Sequence, residues 1–294
     1  MKRADKRLAE LYTAFVAKRS EESRLSCADF DRRNGRCVAR LAARGVTTMD
    51  ELIAALTELP PKLKHFGIWW LHVTKSRRAE SVLLRMIHDD PPFRLACASA
   101  LASLGGRRSI REFIQIGKTQ LASRSPDRKW LEAVIRGLKL SRIESLEGED
   151  ILLMIYERTD LSGWVRGDAG DALGCCSQLC DRRTRFFRRA WTTALNGLDD
   201  ADIEVQFWSM YVLMQLAQNY SSNPKLANAS FAVALPRLRQ IAKTDHRLAP
   251  GYWWPMSAEA EDAIKAITTG CNGPNDASER WSGNTAERGP MIRE

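Results

Sequence analysis

One spacing recurs along this chain and leaves few folds open to it. Counting from Phe93, the offsets 0, 4, 7, 8 and 11 fall on Phe93, Cys97, Ala100, Leu101 and Leu104. The same offsets from Val165 give Val165, Ala169, Ala172, Leu173 and Cys176, and from Val205 they give Val205, Ser209, Val212, Leu213 and Leu216. From Met256 they give Met256, Ala260, Ala263, Ile264 and Ile267; a weaker copy reads Trp130, Val134, Gly137, Leu138 and Ser141. Such offsets mark one face of a helix with about 3.6 residues per turn. Offset 8 is always Leu or Ile, and offsets 4 and 7 are small or medium. A bulky ridge therefore sits beside a shallow groove, which lets neighbouring helices approach closely. The anchors Leu101, Leu138, Leu173, Leu213 and Ile264 are 37, 35, 40 and 51 residues apart, so each interval has room for one more helix and two short connections.

The helix starts repeat as well. Asp90, Asp127, Ser162 and Asp202 stand three residues before the first anchor of their copies, and all are residue types that cap free N–H groups at a helix start. The fifth copy has Trp253 there, after Ala249-Pro-Gly-Tyr, which predicts a longer irregular connection. Companion helices are predicted over 77–88, 107–123, 149–158, 183–198 and 225–243, each with apolar residues at helical spacing. No period-two strand pattern interrupts the series, so the expected fold is all-α.

Segments such as Gly163-Trp-Val-Arg-Gly-Asp-Ala-Gly-Asp-Ala-Leu-Gly174 and Asp89-Asp-Pro-Pro-Phe-Arg-Leu-Ala-Cys-Ala-Ser-Ala-Leu101 resemble HEAT repeats, in particular the phycobilisome-lyase HEAT-like subgroup. The resemblance covers roughly residues 60–268. Arg94 and Arg166 match the basic residue that commonly follows the first anchor, whereas Leu131 and Gln206 depart from it. It implies a right-handed α-solenoid of stacked antiparallel helix pairs, a curved platform of a kind usually used to bind proteins.

Around the array, residues 1–60 are expected to form a helical cap over the first repeat, with a capping box at Thr48-Met-Asp-Glu51 and a helix stop at Pro60-Pro61. Trp69-Trp70 and Trp253-Trp254 are expected to plug the two ends of the array. Residues 269–294 have a loop-like composition and are expected to be a disordered tail. No stretch approaches the roughly 20 apolar residues of a membrane span, and no signal-peptide core follows the basic start, which points to a cytoplasmic protein.

Chemistry is sparse. Phosphate-binding glycine loops, HExxH, GxSxG and paired-cysteine zinc patterns are missing from the sequence. Cys175, Cys176 and Cys180 lack the partners of a four-ligand zinc set, and Cys97 reads as core. His65 and His72 read as structural histidines beside Trp69 and Trp70, and no cofactor is expected. The net charge of +9 is uneven: residues 1–44 hold 12 Lys/Arg against 6 Asp/Glu, and Asp181–Arg189 holds five Arg against one Asp.

These features favour a non-catalytic scaffold that binds a macromolecular partner, most often a protein, on a concave helix face. Offsets 3 and 6 are expected to line that face, which selects Arg136, Asp168, Asp171, Trp208, Tyr211, Glu259 and Asp262. For Trp208 and Tyr211 the flank of a neighbouring repeat is the other explanation. The alternative is a nucleic-acid binder using Arg182, Arg183, Arg185, Arg188 and Arg189, with a DNA glycosylase for alkylated purines as its enzymatic form. A bilin lyase is suggested by the subgroup name alone.

Overall fold

The computed structural model describes residues 7–22, 28–141, 145–174, 184–220, 231–248 and 254–269. Among these residues there are fourteen α-helices and no strand. In chain order they are α1 (Leu8–Glu22), α2 (Ala28–Ala42), α3 (Met49–Ala55), α4 (Pro61–Thr74), α5 (Glu80–Asp89), α6 (Arg94–Leu104) and α7 (Arg107–Ala122). There follow α8 (Arg128–Leu140), α9 (Leu146–Glu157), α10 (Gly163–Gly174), α11 (Thr184–Gly197), α12 (Ile203–Tyr220), α13 (Leu235–Thr244) and α14 (Met256–Thr269). The chain divides into two compact units, Met1–Leu152 and Leu153–Glu294, with the division inside α9.

In the first unit α4, α6 and α8 pack side by side in one layer, while α5 packs on α6 and α7 packs on α8 from a second layer. The first layer carries the repeating anchors and is called the striped layer; the second is the companion layer. Cys97, Ala100 and Leu101 of α6 are fully buried, as are Val134 of α8 and Phe113 of α7, and each large buried apolar side chain stabilises by about 1.5–3 kcal/mol. Gly105, with φ 62°, ends α6 in a left-handed turn that a side chain would strain. The α4 helix is a further copy of the register, with Leu63, Gly67, Trp70 and Leu71 at offsets 0, 4, 7 and 8 and all four buried.

Helix α1 packs on α2 and α2 packs on α4. Tyr12 and Phe15 of α1 meet Trp70 edge-on, each with centroids 5.5 Å apart, and Phe30 of α2 meets Trp69 at 5.5 Å. Trp70 is buried and Trp69 half-buried in this aromatic cluster, so the first tryptophan pair closes the start of the striped layer. The capping box is formed: Glu51 N donates to Thr48 Oγ1 at 3.3 Å and Thr48 N donates to Glu51 Oε2 at 3.0 Å. The helix that opens at Met49 ends ahead of Pro60-Pro61, as expected, with Leu59 extended. That helix has already given way to a short tight turn at Leu56–Glu58, and Pro61 opens α4, where a missing N–H costs nothing.

The second unit repeats the plan. Helices α10, α12 and α14 pack successively in the striped layer, α11 packs on α12, and α13 packs on α14. Val165, Ala169, Ala172 and Leu173 are buried, and so are Val205, Ser209, Val212, Leu213 and Leu216. In α14, Met256, Ala260 and Ala263 are buried but Ile264 and Ile267 are only half-buried. No further striped helix follows α14 among the described residues, so the outer side of its ridge is less covered. Of the expected caps, Asp127 accepts from Lys129 N at 2.8 Å and Asp202 from Glu204 N at 3.0 Å. Asp90 does not cap: its carboxylate pairs with Lys64 instead, and α6 begins through the turn Pro91–Phe93. The 270–294 segment, Trp253, Leu226, Cys175, Cys176 and Cys180 lie outside the described residues.

Candidate functional site: the striped layer of the second unit

The side of α10 that meets α12 is made of glycine. Gly163, Gly167, Gly170 and Gly174 recur every three or four residues, so they share one face. A Cβ on Gly167 would come within 2.9 Å of Trp208 Cδ1 and 3.2 Å of Glu204 Cβ, and one on Gly170 would come within 3.2 Å of Trp208 Cβ. Gly174 faces the Tyr211 ring and Gly163 faces the Asp202 carboxylate. The glycines thus open a slot that receives Glu204, Trp208 and Tyr211 of the following striped helix and Asp202 just ahead of it. This close approach is the demand on these glycines, since each would cost about 1 kcal/mol against alanine in an unconstrained helix.

This contact decides where the expected binding residues sit. Trp208 is 3% exposed, pressed between α12 and α10 and meeting Tyr211 edge-on at 5.4 Å. Offset 3 in α12 therefore points along the layer toward its neighbour, and the neighbouring repeat is what explains Trp208 and the half-buried Tyr211. Asp171 and Glu259 are also buried, while Asp168 and Asp262 are half-buried. Arg136 belongs to the other unit and is exposed on α8. Sequence reasoning missed Glu204 and Trp164. Trp164, at offset −1 of α10, is 43% exposed and lies one turn before Asp168. Both stand at offset −1, which a reading confined to offsets 3 and 6 passes over.

The acidic side chains crowd one another. Glu204 is 5% exposed, its Oε1 is buried with no hydrogen-bond partner among the described residues, and burial together with Asp202 and Asp168 raises its pKa to about 7. Glu259 is buried likewise, with an unpartnered Oε1, and burial plus the nearby Asp262 raises its pKa to about 8. Charges on this unit are sorted by layer. Helices α10, α12 and α14 together hold Asp168, Asp171, Glu204, Glu259, Glu261 and Asp262 against Arg166 and Lys265. Helices α11 and α13 hold Arg185, Arg188, Arg189, Arg237, Arg239 and Lys243 and no acid.

Of the expected arginine patch, Arg182 and Arg183 lie outside the described residues, as does the side chain of Arg185. Arg188 is exposed on α11. Arg189 donates from Nε to Glu157 Oε1 at 2.7 Å, so its charge is partly compensated. One buried polar contact crosses the layers: Ser209 Oγ donates to Val205 O at 2.6 Å, which leaves the Tyr156 hydroxyl as the donor to Ser209 Oγ. Burial raises the Tyr156 pKa. This tyrosine is a structural tie.

The chain matches no protein-family model and no curated protein. It is similar to the solved structure of an engineered protein, with 16% identity, TM-score 0.48, and coverage of 76% of this chain and 97% of that one. It is also similar to a designed armadillo repeat protein, with 14% identity, TM-score 0.46, and coverage of 75% of this chain and 100% of that one. The helical-repeat character stands on the chain's own alternating helices and recurring register.

Proposed function

We propose that this protein is a non-catalytic repeat scaffold of the HEAT type, and that its second unit holds a basic segment of a partner protein on the striped layer. The sorting of charge between the two layers carries this reading. An acidic layer repels phosphate and attracts lysine and arginine side chains, which also suits the exposed indole of Trp164 as a cation–π partner. The partner's cations would meet the carboxylates that reach the surface of this layer, half-buried Asp168 and Asp262 and exposed Glu261. The HEAT assignment is supported by Arg94 and Arg166, which follow the first anchor of their copies and make matching contacts. No helix among the described residues is long and apolar enough to cross a membrane.

The test is affinity capture from native lysate after nuclease treatment, with wild type compared with Asp168→Lys/Asp262→Lys. Retention of proteins with lysine- and arginine-rich segments by wild type alone supports the reading. Partners that vanish with nuclease, or that bind both forms equally, contradict it.

A further inference from the structure

The companion helices of the first unit begin alike. The turn Arg77–Ala79 leading into α5 carries Arg77 and Arg78, and α7 opens on Arg107 and Arg108 with Arg111 one turn on. The chain has the same pair again at Arg182-Arg183, just ahead of α11 and outside the described residues. The two described starts adjoin: Arg108 Nη1 reaches Ser81 Oγ at 3.4 Å, and Glu80 Oε1 accepts from Ser109 N at 3.2 Å and from Ser109 Oγ at 2.7 Å. Arg78 pairs with Asp50 at 2.5 Å. Arg77, Arg107, Arg108 and Arg111 are exposed, and no carboxylate among the described residues lies within ion-pair distance of them.

Arginine is the wrong charge for a first helical turn, where free N–H groups already concentrate positive potential and favour acids. Glu80 offsets this at one amide. Arg107 and Arg108 in the first turn of α7 therefore work against local stability, whereas Arg77 and Arg78 stand ahead of α5, whose own first turn holds Glu80; an exposed arginine cluster kept at this cost calls for a use. No strongly exposed large apolar side chain belongs to the starts of α5 and α7: those among the described residues are Leu95, Leu140, Met154, Trp164, Val233 and Leu248. Protein hot spots depend on aromatic and apolar anchors as well as arginine, and single-strand binding depends on aromatic faces for the bases. Guanidinium forks alone match phosphate oxygens.

We propose that the adjoining starts of α5 and α7 form an arginine surface that binds the phosphodiester backbone of double-stranded nucleic acid without reading its sequence. This surface belongs to the first unit and is independent of the protein-binding reading of the second.

The experiment is fluorescence anisotropy of the full chain with a labelled 20-base-pair duplex of arbitrary sequence, at several salt concentrations. Wild type is compared with Arg77→Glu/Arg107→Glu/Arg108→Glu, with a Gln triple variant as the milder form. Because glutamate suits a first helical turn, the charge-reversed variant keeps or raises the wild-type Tm, so lost binding is not lost folding. Each phosphate contact contributes about 0.9 to the slope of log affinity against log salt, so the expected result is binding weakened roughly tenfold or more and a slope smaller by about 2–3. The proposal is overturned if wild type does not bind the duplex at moderate salt, or if the variants bind as wild type does. Competition by poly-glutamate or anionic vesicles as effective as unlabelled duplex also overturns it.

Discussion

The guanidinium of Arg166 lies 2.7 Å from the carboxylate of Asp200, joining the start of one striped helix to the turn before the next. Its Nε also donates to Tyr156 O at 3.2 Å, reaching back to the preceding companion helix. Arg94 repeats the pattern, with Nε to Ile87 O at 3.1 Å and Nη1 3.7 Å from Asp127, and it also lies 3.7 Å over the Trp130 ring. Lys64 pairs with Asp90 at 2.6 Å from the equivalent place on α4. Arg94 and Arg166 thus each tie three successive elements together. Arg166 is 8% exposed, so Arg166→Ala leaves Asp200 without its partner and is expected to cost about 3–5 kcal/mol by urea denaturation. A cost within error of zero would show that the tie is incidental.

Gly137 faces the fully buried ring of Phe113, and a Cβ there would stand 2.5 Å from Cε2. Gly137→Ala gains helix propensity, yet the ring has no space to move into. A net loss of about 1–2 kcal/mol in thermal or chemical unfolding is expected, within the usual range for overpacking. A stabilised variant would mean that α7 and α8 are not this close.

Trp208 fills the slot opened by the α10 glycines, so Trp208→Ala is expected to cost about 3–5 kcal/mol. Leu173→Ala, at a fully buried ridge position, is expected to cost about 2–5 kcal/mol. Both are read by urea denaturation with intrinsic fluorescence. A Trp208 variant that folds normally and loses only partner binding would restore that side chain to the binding face.

The buried carboxyls make stability depend on pH. For Glu204 and Glu259 the folded pKa values of about 7 and about 8 lie above the ordinary value of 4.5, so between 4.5 and 8 the native state holds more protons than the unfolded chain. Their neutral forms therefore favour folding fully below pH 4.5, and this contribution is lost as pH rises through 7 and 8. Glu259→Gln removes that loss. It is expected to unfold at higher denaturant than wild type at pH 9, by about 1–3 kcal/mol, with the advantage shrinking toward pH 5. The opposite trend would show that Glu259 is charged and paired in the folded state.

Much of the fold was legible because helical burial leaves a periodic trace. Leu101, Leu138, Leu173 and Leu213 are all buried ridge residues, and the companion segments predicted over 77–88, 107–123, 149–158 and 183–198 correspond to α5, α7, α9 and α11; of the segment predicted over 225–243, the described part is the short turn Phe231–Ala234 and α13. The α4 copy is masked in the sequence because offset 7 there is Trp70, bulky where the other copies are small or medium. Asp90 looked like its fellow caps, but nothing local reveals that Lys64, 26 residues earlier, takes its carboxylate. The site was harder to read for a geometric reason. A helix in a layer touches neighbours on two flanks besides its core face, so the side opposite the stripe is not all open, and Trp208 fell on a covered flank. Glycines at Gly167 and Gly174 were the available signal, since a small-residue face on one helix calls for a large one opposite.

The most direct test of the scaffold reading is calorimetric titration of the full chain with an oligo-arginine peptide. It compares wild type, Asp168→Asn/Asp262→Asn on the striped layer, and Arg188→Glu/Arg239→Glu on the companion layer. Wild type is expected to bind, the striped-layer variant to bind roughly tenfold or more weakly, and the companion-layer variant to bind at least as well as wild type. No binding by wild type, or binding that the two aspartate substitutions leave unchanged, would contradict the account.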